Sequence, residues 1–561
     1  MEKNIFPNIW KSLWHSHDQT KKLLQFWRIG EEGHPLTRKK HQPDSAVGSG
    51  PGGPGGGDRP PEEEERPAYT RAQFVGLILG PVLFLLTLLF FQPEGLAYEA
   101  QAVLASTLWI ATWWITEAIP IPATSLLPII LLPVLGAVEG DAVVSSYGDD
   151  IVFLFLGGFF IATAMEKWNL HKRIALNIIS AIGTSTNKII LGFMAATAFL
   201  SMWVSNTAAV MMMVPIGLAI IYQVSSALKE DGHESSLKKF EKAILFGIGY
   251  AGTIGGLGTL IGTPPNSILA GQARELFDVE ISFAGWMAFA VPIVIILVFS
   301  TWLYLTKVIY NIEFKKVPGG RELIRSEMKA LGQTSYEEKM VFSVFLFAAF
   351  MWITRTFIWT DLVQLPEITD GMIAITATVL LFLIPAKKAT ETKLLEWKDS
   401  KEIPWGILLL FGGGLAIASG FSETELSNWI GEQLTVLEGM NLMIIILVSA
   451  ALVLFLTEIT SNTATGTMII PVVASLAFAL NVHPYALMVP CAMAANCAFM
   501  LPVGTPPNAI IFGTGKLKII EMAKNGFWLN LLALILITLA VFIWLPIVWG
   551  IDLTEIPSQF Q

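Results

Sequence analysis

The chain has 561 residues, of which 53% are hydrophobic and only 14% are charged, whereas soluble domains carry roughly 25% charged residues. Its formal net charge of −9 is small for this length and argues against a nucleic-acid-binding protein, which would present a basic face. Its two cysteines exclude a framework of disulfides. The composition therefore indicates a polytopic membrane protein.

The first 72 residues differ from the rest of the chain. They are polar and include a glycine-rich run followed by four glutamates, Glu62 to Glu65, a composition that cannot bury enough apolar surface to fold alone. We expect residues 1–72 to form a cytoplasmic, largely disordered tail and linker. The stretch from Trp10 to Trp27 is expected either to lie on the membrane surface as a helix or to stay disordered. No cleavable signal peptide is expected, since no charged start precedes an apolar run.

Long apolar runs dominate the chain from Arg71 onward, and a membrane-spanning helix needs about 20 such residues. We predict an all-α polytopic membrane protein with about eleven spans plus two further apolar regions, 187–226 and 440–481, each divided by a polar triplet. The predicted spans are 73–92, 99–116, 122–137, 150–166, 243–281 (interrupted), 285–307, 341–358, 369–386, 404–422, 485–514 (interrupted) and 526–549.

Lys and Arg residues orient these segments, because they concentrate in cytoplasmic loops. Neither residue type occurs in 72–166 or 402–515, and both cluster elsewhere between the apolar runs. With the clusters in the cytoplasm, region 187–226 begins and ends on the cytoplasmic side and region 440–481 on the outer side, so both are predicted as re-entrant hairpins. This topology places the N-terminus inside the cell and the C-terminus outside. Arg274, on a short helix, and Arg355, at a span end, are expected near the outer surface.

Two motifs occur twice and in the same order. Ser-Asn-Thr-Ala stands at 205–208 and 461–464, and Gly-Thr-Pro-Pro-Asn follows at 262–266 and 504–508. Because the basic residues orient the two copies oppositely, we predict an inverted repeat. Inverted repeats are typical of secondary transporters, whose binding sites lie where the repeats meet near the middle of the membrane.

The repeated motifs also indicate a site. Each Pro-Pro pair removes two amide donors and breaks a helix, which a membrane tolerates only where the freed backbone groups face a cavity or a ligand. Ser201 and Thr457 lie four residues before their tips and are expected on the same helix face. Hydroxyls, amide oxygens and freed carbonyls suit Na⁺, whereas Ca²⁺ and Mg²⁺ favour carboxylates. The alternative is that Ser201 and Thr457 only bond back to their own helices.

Neither the two tips nor the two breaks contain Lys or Arg. Asn amides and hydroxyls beside exposed helix N-termini can nevertheless hold carboxylates, and bound Na⁺ would supply the missing counter-charge. We therefore predict obligatory coupling to Na⁺. Glu458, beside the second tip, is left out of the core site, although an acid inside a membrane suggests function.

These motifs resemble those of the divalent anion/sodium symporter family, and most closely its bacterial sodium–dicarboxylate branch, over roughly 73–550. The resemblance implies a transporter rather than an enzyme, present as a homodimer in the lipid bilayer of the plasma membrane and working by an elevator motion. The implied scaffold halves are 73–175 and 341–430. The implied transport-domain halves are 187–307, with the inner hairpin, and 437–550, with the outer hairpin.

The resemblance also implies ligands residue by residue. The first sodium site would use Ser201, Ser205, Asn206 and Gly262. The second sodium site would use Thr457, Thr460 (through its backbone carbonyl), Asn462 and Gly504. The dicarboxylate would meet Asn206, Thr207, Ser461, Asn462, Thr463, Thr263, Pro264, Thr505 and Pro506.

The leading hypothesis is Na⁺-coupled symport of C4-dicarboxylates such as succinate, fumarate and malate into the cell, with Na⁺ as the co-transported ion, no organic cofactor and no nucleic-acid partner. The alternatives are a citrate or sulfate symporter, a sodium-independent dicarboxylate exchanger and an anion channel. The complete set of hydroxyls and asparagines at the tips disfavours the exchanger.

Overall fold

A computed structural model describes residues 69–228, 234–312, 314, 319–364, 368–388, 391–434, 439–557 and 560. The expectations for the N-terminal tail fall almost entirely on residues outside this described part. Within it the chain forms helices and the turns that join them, with one isolated bridge between Pro385 and Lys393.

The helices are numbered here in chain order. They are α1 (Arg71–Phe90), α2 (Tyr98–Thr116), α3 (Ile121–Thr124), α4 (Leu127–Val134), α5 (Gly140–Ser145), α6 (Asp150–Lys167), α7 (Leu170–Ile182), α8 (Thr186–Ser201), α9 (Asn206–Leu228), α10 (Glu234–Gly256), α11 (Pro264–Phe277), α12 (Phe283–Leu303), α13 (Gly320–Ala330), α14 (Tyr336–Thr354), α15 (Asp370–Leu383), α16 (Trp405–Glu423), α17 (Leu426–Leu434), α18 (Leu442–Thr457), α19 (Asn462–Ala479), α20 (Tyr485–Asn496), α21 (Pro506–Gly513), α22 (Ile519–Leu539) and α23 (Leu545–Trp549). Short π-helical segments, Tyr304–Ile309, Arg355–Thr360 and Ala540–Trp544, continue α12, α14 and α22.

Among the described residues, eight helical segments are long and apolar enough to cross a membrane by length and composition. Two of the eight, Asn206–Ser226 and Asn462–Ala479, are the second arms of the predicted hairpins. Shorter apolar helices account for the predicted spans 122–137 and 369–386, for the first part of 485–514 and for the first arms of both hairpins. The predicted span 99–116 coincides with α2, and the interrupted span 243–281 with α10 and α11. The prediction of a multi-pass, all-α membrane protein is therefore confirmed.

The order of elements repeats along the chain. A glycine-containing helix (α6 or α16) is followed by a short helix, a hairpin, a broken helix and a long helix that ends the unit (α12 or α22). The motif repeat found in the sequence thus corresponds to a structural repeat of at least five elements.

The two copies of the glycine-containing helix run in opposite directions. A Cβ added at Gly271 of α11 would contact both Ile151 of α6 and Leu415 of α16. One turn further along α6, the ring of Phe155 lies 4.7 Å from that of Phe411. As α6 advances from 151 to 155, its partner α16 recedes from 415 to 411, so the helices are antiparallel and the repeat is inverted, as predicted.

Ion pairs gather at the two ends of α6. At its N-terminal end Arg274 pairs with Asp149, and Arg355 pairs with Glu280 at 2.7 Å and with Asp370 at 2.8 Å. At its C-terminal end Lys167 pairs with Glu391 at 3.0 Å and with Asp399 at 2.8 Å. A helix of this length spans about 27 Å at 1.5 Å per residue, so the charges lie at the two margins of the apolar layer. The positions of Arg274 and Arg355 agree with the expectation that both lie at one surface.

Candidate functional site

The first hairpin tip brings a hydroxyl against backbone oxygen. Ser201, the last residue of α8, is fully buried. Its Oγ lies 2.6 Å from Asn206 Oδ1, at the start of α9, and 2.6 Å from the carbonyl oxygen of Gly252 in α10. One hydroxyl proton can serve only one of these two acceptors.

The amide of Asn206 completes this arrangement. Its Oδ1 faces Ser201 Oγ, the Gly252 carbonyl at 3.2 Å and the Gly262 carbonyl at 3.3 Å. With the amide nitrogen turned inward, Asn206 donates hydrogen bonds to these three groups and satisfies them. With the oxygen inward, four oxygens are grouped as the ligands of a cation are. We name Ser201 Oγ, Asn206 Oδ1 and the carbonyls of Gly252 and Gly262 the first oxygen cluster.

The second hairpin repeats this geometry. Thr457, the last residue of α18, is fully buried. Its Oγ1 lies 2.7 Å from Asn462 Oδ1 and 2.7 Å from the carbonyl oxygen of Ala495 in α20. In both hairpins the hydroxyl and the asparagine are five residues apart. We name these three oxygens the second oxygen cluster.

Each helix break is held by the asparagine that follows its Pro-Pro pair. Asn266 Nδ2 donates to the carbonyls of Gly256, Leu257 and Thr259 at 2.8–3.2 Å. Asn508 Nδ2 donates to those of Ala498 and Leu501 at 3.0 Å. Both side chains are fully buried, and the Oδ1 atom of each has no hydrogen-bond partner in the described part of the chain. The side-chain amides therefore hydrogen-bond the backbone carbonyls at each helix break and stabilise it.

Glu458 gives the second break a support that the first break lacks. Its carboxylate accepts the backbone N–H groups of residues 499–501 at 2.8–3.1 Å and Asn530 Nδ2 at 2.7 Å. A Cβ added at Gly504 would lie 3.0 Å from the same carboxylate. The corresponding residue after Ser201 is Met202. Met202 carries no carboxylate, so the two halves of the site differ in the polar support of their breaks.

The tips and breaks of the two repeats also contact each other. Thr263 Oγ1, in the first break, donates to Asn496 Oδ1 of α20 at 2.7 Å. A Cβ added at Gly466, one turn into α19, would lie 3.4 Å from Pro265. The repeated motifs, which are far apart in the sequence, therefore meet at one place, as predicted.

Four helices begin at this place. They are α9, α11, α19 and α21, whose first residues are Asn206, Pro264, Asn462 and Pro506. Each helix N-terminus carries unsatisfied N–H groups and roughly half a positive charge, which makes it a natural anion site. Together they create a region of positive potential without any basic side chain.

Burial separates the predicted ligands into two groups. Those expected to bind the dicarboxylate from the tips and the helix starts are at least partly accessible: Asn206, Thr207, Pro264, Ser461, Asn462, Thr463 and Pro506. Buried are two further predicted dicarboxylate ligands, Thr263 and Thr505, and the predicted sodium ligands Ser201, Gly262, Thr457, Thr460 and Gly504. The predicted sodium ligand Ser205 is exposed.

Two predicted hydroxyls have local partners instead. Ser205 Oγ accepts the N–H of Ala208 at 3.2 Å and so caps α9. Thr460 Oγ1 donates to the carbonyl of Leu456 at 2.8 Å and lies 2.6 Å from Thr465 Oγ1. For Thr460 this agrees with the expectation that its side chain is not the ligand.

Sequence reasoning missed three members of the site. Gly252 and Ala495 contribute carbonyl oxygens, which every residue carries, so residue identity gives no signal. Asn496 has no asparagine at the related position of the first repeat, and a search for duplicated motifs passes over it.

Comparison with known proteins agrees with the family resemblance of the motifs. A family model described as the sodium:sulfate symporter transmembrane region matches residues 71–551. The sodium-dependent dicarboxylate transporter SdcS of Staphylococcus saprophyticus is 58% identical over 494 residues, which is 88% of this chain and 95% of the relative. The protein of the same name from Staphylococcus aureus strain RF122 is 56% identical over 495 residues, with the same coverage of both chains.

Two solved structures share the fold at low identity. The Neisseria gonorrhoeae efflux pump MtrF has a TM-score of 0.51 at 11% identity, covering 84% of this chain and 94% of its own. The Alcanivorax borkumensis transporter YdaH has a TM-score of 0.50 at 12% identity, covering 79% of this chain and 99% of its own. At these identities the likeness concerns the fold alone.

Proposed function

We propose that this chain, which belongs to the sodium:sulfate symporter family (the divalent anion/sodium symporters), is a Na⁺-coupled transporter. It couples Na⁺ entry to uptake of C4-dicarboxylates such as succinate, fumarate and malate. The relatives of more than half identity, named sodium-dependent dicarboxylate transporters, support both the ion and the substrate class. The chain is a transporter and not an enzyme.

The two oxygen clusters carry the proposal. Each joins a buried hydroxyl, an asparagine oxygen and at least one backbone carbonyl from a neighbouring helix. Uncharged oxygens suit a singly charged ion, whereas divalent ions favour carboxylates. The clusters also stand at matching places of two inverted halves, which supports two Na⁺ sites, with Ser205, Thr460 and Gly504 completing their shells through backbone or side-chain oxygen.

The dicarboxylate would bind in front of the clusters. Its carboxylates would meet the accessible tip residues, from Asn206 and Thr207 on one side and Ser461, Asn462 and Thr463 on the other. The threonines and prolines of the breaks, Thr263, Pro264, Thr505 and Pro506, would shape the floor. Four helix N-termini and two Na⁺ ions supply the positive potential, so the anion binds strongly only when Na⁺ is present.

We further propose that the protein is a homodimer with an elevator mechanism. The transport domain would comprise 187–307 and 437–550, and the scaffold 73–175 and 341–430. The N-terminus would face the cytoplasm and the C-terminus the outside. The inverted repeat supports alternating access, and the placing of Lys and Arg supports the orientation. The homodimer and the elevator motion are what the family resemblance implies.

Uptake by purified protein in liposomes tests the proposed function. With an inward Na⁺ gradient, labelled succinate should accumulate above its external concentration, and replacing Na⁺ by choline should abolish this. Unlabelled fumarate and malate should compete better than citrate or sulfate. Equal uptake in choline would contradict coupling, and flux that ignores the Na⁺ gradient would indicate a channel.

Asparagine variants test the site within the same assay. Asn206→Ala and Asn462→Ala each remove an oxygen from one cluster and a donor from the substrate site, so both should abolish uptake. Asn428→Ala, on an exposed face of α17, is the control and should transport normally. Normal uptake by either site variant would refute the site.

A further inference from the structure

We propose that Asn496 is a positioning residue that couples the two cation sites, so that Na⁺ in one raises the affinity of the other. The proposal rests on the proposed function, because the two sites are the oxygen clusters assigned there. Asn496 touches neither cluster as a ligand; it acts through the backbone that forms them.

Asn496 links the two repeats through both ends of its amide. It is the last residue of α20 and is fully buried. Its Oδ1 accepts the hydroxyl of Thr263 at 2.7 Å, and its Nδ2 donates to the carbonyl of Thr253 at 2.8 Å. A residue of the second repeat therefore holds two separate segments of the first.

Those two segments are the ones that supply carbonyls to the first oxygen cluster. Thr253 directly follows Gly252, and Thr263 directly follows Gly262. The spacing between the two carbonyls therefore depends on the amide of Asn496, which spans from one segment to the other. A shift of this amide would change the distances between the oxygens of the first oxygen cluster.

The neighbour of Asn496 belongs to the second oxygen cluster. Ala495 presents its carbonyl to Thr457 Oγ1 at 2.7 Å, and one peptide bond joins it to Asn496. An ion bound at the second cluster would fix the end of α20 and with it the amide that sets the first cluster. Because coupling between sites is reciprocal, an ion in the first cluster would fix the second.

The connection that Asn496 makes between the repeats has no counterpart at the related position of the first repeat. Thr253 holds the related position in the first repeat, since it follows the cluster carbonyl of Gly252 as Asn496 follows that of Ala495. Its hydroxyl is buried and has no hydrogen-bond partner in the described part of the chain. No second side chain at this pair of positions therefore duplicates the connection, and one substitution should break it.

The test is a Na⁺ titration of purified protein, read by thermal stability and by succinate uptake. In the unmodified protein both curves should be steeper than a single-site curve. Asn496→Ala should reduce the Hill coefficient of the thermal-stability curve to near one and raise the half-saturating Na⁺ concentration of both curves at least about fivefold. The uptake curve itself stays sigmoid, because transport needs both ions.

Asn525→Ala is the matched control. Asn525, in α22, is also a buried asparagine, and its Nδ2 donates to the hydroxyl of Tyr310 at 2.9 Å rather than to a segment that supplies a cluster oxygen. This variant removes comparable buried hydrogen bonding and should keep the steep Na⁺ curve. A second variant, Asn496→Ser, keeps a polar side chain that cannot span both partners and should also flatten the curve.

Each outcome decides a different question. Steep thermal-stability curves in the folded Asn496 variants, or a single-site thermal-stability curve in the unmodified protein, would overturn the coupling role. Flattening by Asn525→Ala as well would assign the effect to general loosening and overturn it too. A lack of any Na⁺ response in the unmodified protein would instead overturn the proposed function.

Discussion

At the scale of single residues, the site depends on glycines that leave room for side chains. A Cβ added at Gly256, the last residue of α10, would overlap the side-chain oxygen of Asn206. Gly256→Ala should therefore displace this amide from the first oxygen cluster. The half-saturating Na⁺ concentration for uptake should rise at least about tenfold, which corresponds to about 1.4 kcal/mol of lost ion binding.

The control for this prediction is Gly513→Ala at the end of α21, where an added Cβ meets no atom within 4 Å. Its Na⁺ dependence should match that of the unmodified protein. An unchanged Na⁺ dependence in Gly256→Ala would mean that Asn206 tolerates the crowding and that the cluster geometry is not limiting.

At the scale of elements, the helix breaks are stabilised by their asparagines. Asn266→Ala removes three hydrogen bonds and leaves the Gly256 carbonyl without its side-chain donor, whereas Leu257 keeps Trp286 Nε1; Asn508→Ala removes two and leaves the Ala498 carbonyl without its side-chain donor. Each unsatisfied group costs about 1–3 kcal/mol. Both variants should lower the melting temperature of the detergent-purified protein, and Asn266→Ala should lower it more.

The exposed Asn428→Ala of α17 provides the reference melting temperature. A larger loss for Asn508→Ala than for Asn266→Ala would contradict this prediction, and an unchanged melting temperature for Asn508→Ala would show that Glu458, rather than the asparagine, carries the stability of the second break.

The elements were largely predictable from the sequence, and the cluster atoms were not. Every predicted span and both hairpins coincide with helix. These elements depend on the length of the apolar runs and on the Ser-Asn-Thr and Pro-Pro interruptions, and both features are visible in the residue types. The short helices α7, α13 and α17 escaped a search for long apolar runs. Gly252 and Ala495 escaped because they act through carbonyls, and Asn496 because it breaks the repeat.

At the scale of the whole molecule, ion pairs join the two proposed domains. Arg274 of the proposed transport domain pairs with Asp149 of the proposed scaffold, and an elevator motion must separate them. In the double variant Asp149→Cys/Arg274→Cys, a cleavable bifunctional thiol reagent should block uptake, and cleavage should restore it. The two natural cysteines, Cys491 and Cys497, are buried and should not react in the unmodified protein.

Mass spectrometry of the joined peptides measures how completely the reagent has reacted. Full-rate uptake by fully cross-linked protein would contradict relative motion of these two parts. Loss of uptake in the unmodified protein after the same treatment would show that the reagent acts elsewhere.

The carboxylate of Glu458 gives the molecule a polarity that its architecture alone would not. Two identical inverted halves would make a carrier whose faces were interchangeable, so that loading from either side followed the same sequence of events. Here one half carries an acid where the other carries Met202. The gradients still set the direction of net flow, but the order in which ions enter and leave is free to differ between the two faces. Inward and outward transport by the same protein should therefore have different rate-limiting steps.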